Sequence, residues 1–296
     1  MSSHIAESAS QTTGQINRLS GALGVEVSGV DLGGELNDSL RSEIVGLVAE
    51  HSVVAFRGQR SDLGRLQELT ELLGGNGDTP FLREVPGYPG VVQVLAEADE
   101  GSPINFGGGW HSDWSFQPEP PKYTILMAKD IPPYGGDTVW ACQYRAYETL
   151  SEGLRATLDG LNVVHSARRS YAPDGALAKT SAGRTMQIDM SMDAFDEHIH
   201  PAVITHPETG RRALFVNATY SIRFEGWSAA DSKPLLDHLF AHATTAAFTC
   251  RLRWTEDTIT IWDNRCTQHN ALNDYRGFRR ELHRTTVAGD APVASN

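Results

Sequence analysis

The sequence predicts a mainly β fold, a sandwich or barrel of jelly-roll type with helices packed outside it. Two observations carry that reading. Many short apolar runs of strand length are separated by turn residues, while only four segments carry a helical period. No internal repeat, linker or abrupt change of composition divides the 296 residues, so one domain over 17–290 is expected. Residues 1–16 are Ser/Thr-rich and 291–296 are short and polar, and both are expected to be disordered tails.

Along the chain, Gly24 to Leu32 alternates like a short strand ending in a turn. Asn37-Asp38-Ser39 can cap a helix from about Leu40 to His51, with Ile44, Leu47 and Val48 on one face. Val53 to Phe56 reads as a buried strand, and Asp62 to Leu73 as a second helix. Ser151 to Gly160 and Trp227 to Thr244 supply the third and fourth helices, the last with Leu235, Leu236, Leu239 and Phe240 inward. Val91–Leu95, Tyr123–Met127, Ala213–Val216, Phe248–Leu252 and Thr258–Trp262 read as strands.

Composition narrows the function. The formal charge of −12 argues against nucleic acid or an anionic membrane as the main partner. Three cysteines without paired spacing suggest neither a disulfide framework nor a zinc ribbon, and fit a reducing cytoplasm. No apolar signal segment opens the chain and no apolar run is long enough to span a membrane, so a cytoplasmic protein with a small-molecule substrate is expected.

The sharpest local feature is Gly107-Gly-Gly-Trp-His-Ser-Asp-Trp114. On an extended strand His111 and Asp113 would point to one face and could converge on one ion. His269, after the strand and turn of Ile261 to Gln268, offers a third ligand. Two histidines and a carboxylate leave three positions open on an octahedral ion, which suits iron(II) that must also take a bidentate co-substrate and dioxygen. Taken alone, His-x-Asp fits better a histidine hydrogen-bonded to a nearby aspartate; the residues beyond His269 reverse the balance. Arg280, Leu282 and Arg284 would share one face of a strand, and two inward arginines call for anions such as a dicarboxylate. Arg276 and Arg279 read as a solvated basic edge.

The motifs His111-Ser-Asp113, Gly135-Gly-Asp-Thr138, Trp262-Asp-Asn-Arg-Cys-Thr-Gln-His269, Arg280 and Arg284 together resemble the taurine dioxygenase (TauD/TfdA) family of iron- and 2-oxoglutarate-dependent oxygenases. Gly21 to Leu32, Val53 to Gln59 and His206 to Arg211 extend the likeness over residues 17–290. It implies a double-stranded β-helix of cupin-like type. It also implies iron(II) on His111, Asp113 and His269, and 2-oxoglutarate held at its distal carboxylate by Arg280 and the Thr138 hydroxyl. Arg284 would meet the other carboxylate or an anionic substrate. The reaction implied is hydroxylation of an unactivated C–H with O2, giving succinate and CO2, by a homo-oligomer (dimer or tetramer). Asp113 stands where related halogenases carry a small residue that leaves room for halide.

Phe81, Leu82, Ile104 and Phe106 are expected to form an apolar substrate wall, with Arg284 as the spare cation. Taurine-specific members carry a histidine in the loop corresponding to about 76–85; this chain has none between His51 and His111. An aryloxyalkanoate or alkyl sulfate is therefore favoured. An amino-acid-derived or natural-product intermediate is the nearest alternative. A zinc hydrolase using the same three ligands and a silent jelly-roll binding protein are the alternatives of other classes. His198-Ile-His200 reads as loop, His206 and His283 as ordinary hydrogen-bonded histidines, and Cys266 as structural.

Overall fold

The computed structural model describes residues 14–294. Its largest sheet has eight strands in the order Gln15–Arg18, Val25–Ser28, Val53–Phe56, Ile259–Asp263, Tyr123–Asp130, Arg280–Val287, Tyr88–Ala96 and Glu84–Val85. A second sheet pairs Thr249–Leu252 and Thr267–Ala271 on either side of Thr138–Cys142. A three-stranded sheet (Ser221–Phe224, Asn162–His165, His198–Pro201) and a two-stranded one (Val203–Thr205, Arg212–Leu214) complete the jelly roll expected.

Alternation explains how the big sheet serves two cores. Along Tyr123–Asp130, Tyr123, Ile125 and Met127 face outward, where they meet Ile44, Leu47, Leu66 and Leu69 of the helices Asp38–His51 and Leu63–Leu73. Leu126 and Ala128 face inward and pack with Trp140, Cys142, Trp262 and Leu282 between the two main sheets. Thr124 shares that inward face, which places a hydroxyl inside the roll. The helices begin where their caps require. Asn37, Asp62, Ser151 and Ser228 each accept a backbone N–H from their own first turn, worth about 1 kcal/mol apiece.

Three expectations shift. Gln15 and Ile16 belong to an edge strand, not to a disordered tail, because they pair with Ser28 and Val27; residues 1–13 lie outside the described residues. Residues 291–294 are also placed: Thr205 N donates to the Val293 carbonyl at 3.0 Å, and Ala294 bridges Ile204. His198–Pro201 is a strand, not a loop, paired with Asn162–His165.

Candidate metal centre and its two cavities

His111 and His269 are brought together by backbone. Each donates its N–H to the other's carbonyl, at 3.1 and 2.8 Å, in a single antiparallel rung. Asp113 does not continue an extended strand as the spacing suggested. The chain turns after it, and Trp114 takes φ +49, a left-handed conformation that is rare for a bulky residue. The turn still delivers the carboxylate to the imidazoles. One donor atom from each of His111, Asp113 and His269 falls within a set no wider than 4.8 Å, and all three residues are buried.

Two of the three donors are oriented from behind. His111 Nδ1 lies 2.8 Å from the Gly109 carbonyl, which fixes the proton on that nitrogen and turns the Nε2 lone pair inward. Gly109 has φ +91 and supplies the carbonyl from a backbone shape that a side chain would disfavour. Asp113 Oδ2 accepts from the Thr124 hydroxyl at 2.6 Å; Thr124 accepts from Asn264 Nδ2 at 2.9 Å, and Asn264 Oδ1 accepts from Trp262 Nε1 at 3.0 Å. A relay of inward side chains from two adjacent strands and the turn that continues one of them thus holds the carboxylate. Sequence reasoning singled out neither Thr124 nor Asn264. Asn264 sits inside the recognised motif, but nothing local marks its partner.

Asp113 Oδ1 is left for the centre. It lies 3.6 Å from His111 Nε2, 4.0 Å from His269 Nε2 and 2.9 Å from an Arg284 terminal nitrogen. Burial pushes the Asp113 carboxyl up, but the Arg284 guanidinium and the two imidazoles outweigh it and hold it well below the usual carboxylate range. Burial and the neighbouring His111 push His269 down to about 3, so its ring is neutral and its lone pair available. His269 Nδ1 is buried without a hydrogen-bond partner. Both terminal nitrogens of Arg284 are likewise buried without an acceptor in line, and the guanidinium lies 4.8 Å from the Trp114 ring centre. A buried cation with undirected donors is costly unless a ligand completes it.

Two cavities meet at this centre. The inner one is bounded by Val94, Leu126, Thr138, Trp262, Arg280 and Arg284 beside the three donors. As expected, Arg280, Leu282 and Arg284 share the inward face of their strand. Arg280 Nε donates to the Gly136 carbonyl at 3.1 Å, and the Thr138 hydroxyl oxygen accepts from Trp254 Nε1 at 3.0 Å, which leaves its own proton to give. The outer cavity holds Ile104, Phe106, Arg169, Tyr171, Leu177 and Tyr220 along with His111 and Asp113. Ile104 and Phe106 therefore line it as expected. Phe81 and Leu82 do not: Phe81 stacks behind Tyr171 at 4.8 Å between ring centres, and Leu82 is core, bridged to Ile188. Their loop approaches the pocket but presents its apolar side chains to a second layer. Tyr171 and Tyr220, from segments with no periodic pattern, occupy the wall instead.

The remaining candidates take ordinary roles. Arg279 pairs with Glu97, Asp130 and Glu281, and Arg276 is exposed. His200 Nε2 donates to the Gln117 carbonyl at 2.9 Å, and His283 Nε2 lies 3.3 Å from Glu281. All three cysteines are free and buried.

Comparison with known proteins gives a consistent picture. The family model described as "Taurine catabolism dioxygenase TauD, TfdA family" matches residues 15–286. A protein of Acinetobacter baylyi named alkylsulfatase is 34% identical over 285 residues, covering 95% of this chain and 87% of its own length. A Pseudomonas putida protein named alpha-ketoglutarate-dependent sulfate ester dioxygenase is 36% identical over 282 residues, covering 94% and 90%. Among solved structures, one titled as a taurine dioxygenase from Burkholderia xenovorans superposes with a TM-score of 0.79 at 34% identity, covering 95% of this chain and 93% of that one.

Proposed function

This chain belongs to the TauD, TfdA family of dioxygenases, and on that premise we propose that it hydroxylates a small apolar-bodied acid or ester beside a heteroatom. Iron(II), 2-oxoglutarate and dioxygen are what the chemistry of that family requires. When bound, they supply the oxidation of a C–H bond to an alcohol, with succinate and CO2 as co-products. The observation that carries the reading is the leftover bonding capacity at the centre. His111 Nε2, His269 Nε2 and Asp113 Oδ1 face one point with their other atoms already oriented or walled off, a donor set that suits a divalent metal with open positions.

In this reading His111, Asp113 and His269 hold iron(II). Arg280 and Thr138, at the far side of the inner cavity, receive the distal carboxylate of 2-oxoglutarate, the guanidinium by paired N–H donors and the hydroxyl by its free proton. Arg284, above Trp114, gives its unpaired donors to the co-substrate's other carboxylate or to the substrate's head group. The outer cavity excludes water and aligns the substrate's carbon with the centre along Phe106, Tyr171 and Tyr220. Hydroxylation of the carbon that bears a sulfate ester or aryl ether oxygen gives a hemiacetal-like carbon, which collapses to a carbonyl and frees the leaving group. Alkyl sulfates come first, with aryloxyalkanoates next. A zinc hydrolase would need a general base beside the metal, and Asp113 is the only carboxylate among the described residues that line the two cavities. A cytoplasmic homo-oligomer is part of the same proposal; no described helix is long and apolar enough to cross a membrane.

Succinate release that depends on iron(II), measured over alkyl sulfates, sulfonates, aryloxyalkanoates and taurine, tests the reaction and ranks the substrates. Arg280→Ala tests the co-substrate site. Removing one partner of a buried charge pair costs about 3–5 kcal/mol, so the 2-oxoglutarate requirement should rise by roughly two to four orders of magnitude, and less in Thr138→Val. Unchanged 2-oxoglutarate binding by calorimetry in Arg280→Ala would sink that assignment.

A further inference from the structure

We propose that Arg169 reads a carboxylate at the end of the substrate remote from the oxidised carbon, so that this chain takes a two-ended acid and not only one with a bare alkyl or aryl end; this rests on the oxygenase reading above and deepens its substrate class. Arg169 lines the outer cavity together with His111 and Asp113 and is exposed to solvent, which sets it where that cavity opens. It is the only lysine or arginine among the described residues that line the cavity. Arg284 lines the inner cavity beyond the three donors. A substrate that reaches the centre from outside therefore has one cation ahead of it and one behind.

The position of Arg169 is built, not incidental. The short helix Arg168–Tyr171 carries Arg169 and Tyr171 to the same wall. Arg169 Nη1 donates to the Ala218 carbonyl at 2.9 Å and to the Ser221 carbonyl at 3.0 Å. Those carbonyls flank Thr219 and Tyr220, which line the cavity too, so the guanidinium is fastened to the wall itself. Its charge is left uncompensated. The adjacent Arg168 pairs with Glu197 at 2.6 Å, and Arg223 takes the other oxygen of that carboxylate at 2.6 Å. Arg169 forms no ion pair among the described residues. Burial, and then the neighbouring Arg168, push its guanidinium below the ordinary value, with Asp237 giving a smaller opposite pull.

Counting donors identifies the ligand. Nη1 carries two hydrogens, and the two carbonyls take them. Nε and Nη2 bond to none of the described residues. The Nε–H and one Nη2–H run parallel along the side of the guanidinium, and that edge matches the two oxygens of a carboxylate. An alcohol or amide end would engage one donor and leave the charge unmet. Water can solvate an exposed guanidinium equally well when the cavity is empty. A carboxylate carried on a substrate already held at the centre gains over water because its tether fixes where it can go.

The test uses alkyl sulfates from butyl to decyl, each made with a methyl, a carboxamide and a carboxylate at the far end. They are titrated calorimetrically into enzyme loaded with manganese(II) and 2-oxoglutarate under argon, so that binding is read without turnover. In the wild-type chain the carboxylate-ended probe should bind about fivefold more tightly than its methyl-ended counterpart at one optimal length, and the carboxamide should show no such gain. In Arg169→Gln that ratio should fall to about one or below. In Arg169→Lys, which keeps a charge but not the fork, it should recover only in part. Near-ultraviolet circular dichroism of the variants checks that the wall has kept its packing. A ratio near one at every length in the wild-type chain, an equal gain at all lengths, a ratio unchanged in Arg169→Gln, or failure of every probe to bind would each overturn the inference. Succinate release from methyl-ended probes without any gain from the carboxylate would overturn it and leave the oxygenase reading in place. A gain that depends on Arg169, with no succinate from any probe, would support it and remove that reading.

Discussion

Among the described residues, two buried clusters carry metal-ligating side chains, and only one of them has bonding capacity to spare. His206, Asp263 and Cys266 gather their donor atoms as tightly as His111, Asp113 and His269 do. In the first group every strong donor is already committed. His206 Nε2 meets Asp263 Oδ2 at 2.9 Å, and Arg265 grips the same carboxylate at 2.7 and 3.0 Å through two nitrogens. The Cys266 thiol is pushed well up by burial and by Asp263, which keeps it a thiol and not a thiolate ligand. In the second group the corresponding atoms face a cavity, and an arginine leans on the carboxylate without a directed hydrogen bond. Residue types are similar; what separates a strut from a candidate metal centre is whether the lone pairs are used.

The largest expected effect breaks the second group. Asp113→Ala should abolish turnover and metal binding while the far-ultraviolet circular dichroism stays native, because the relay from Thr124 loses an acceptor but no core side chain is removed. Turnover near the wild-type level in that variant would show that the three residues are not the metal site. The matched change, Asp263→Asn, should leave metal affinity within about twofold and instead destabilise the fold by about 3 kcal/mol, since Arg265 then loses its buried carboxylate and keeps only the more exposed Glu208. Urea unfolding reads that loss; a weakened metal affinity with unchanged stability would reverse the contrast.

A smaller effect comes from a third buried group. Burial pushes His200 down to about 4, and burial with the neighbouring His200 drives His165 well below its ordinary value. Both rings are neutral in the fold, while the unfolded chain takes up protons near pH 6.5. A depressed folded value means that stability is present above the unfolded value and is lost as pH falls toward the folded one. Between pH 6.5 and 4, His200 alone should account for about 3 kcal/mol, and His200→Gln should flatten that part of the urea-midpoint profile. A profile equally steep in the variant would place the acid sensitivity elsewhere.

Much of this was legible in the sequence because local period encodes facing. The helices under the big sheet, the inward set of Arg280, Leu282 and Arg284, and the hydroxyl of Thr138 all follow from spacing and a recognised motif. Partnership between sequence-distant strands was not legible. Nothing near Asn264 announces Thr124, and nothing near His206 announces Asp263, because each pair is joined only when distant strands close. Phe81 and Leu82 were misplaced for a related reason: apolarity marks burial without saying which layer is buried. The strand placement of Gln15 and Ile16 was missed because composition cannot register an edge strand whose partner is already paired on its other side.

The rung between His111 and His269 also sets when the protein can first work. It closes a loop of more than half the chain, and such a closure forms late, after the local helices and hairpins are in place. A nascent chain that has yet to expose the strand Thr267–Ala271 owns one imidazole and one carboxylate of the group, too few to retain a labile ion. On the proposed site, loading then waits for that closure. An oxygen-reactive metal is admitted only once the walls that govern its reactivity already surround it.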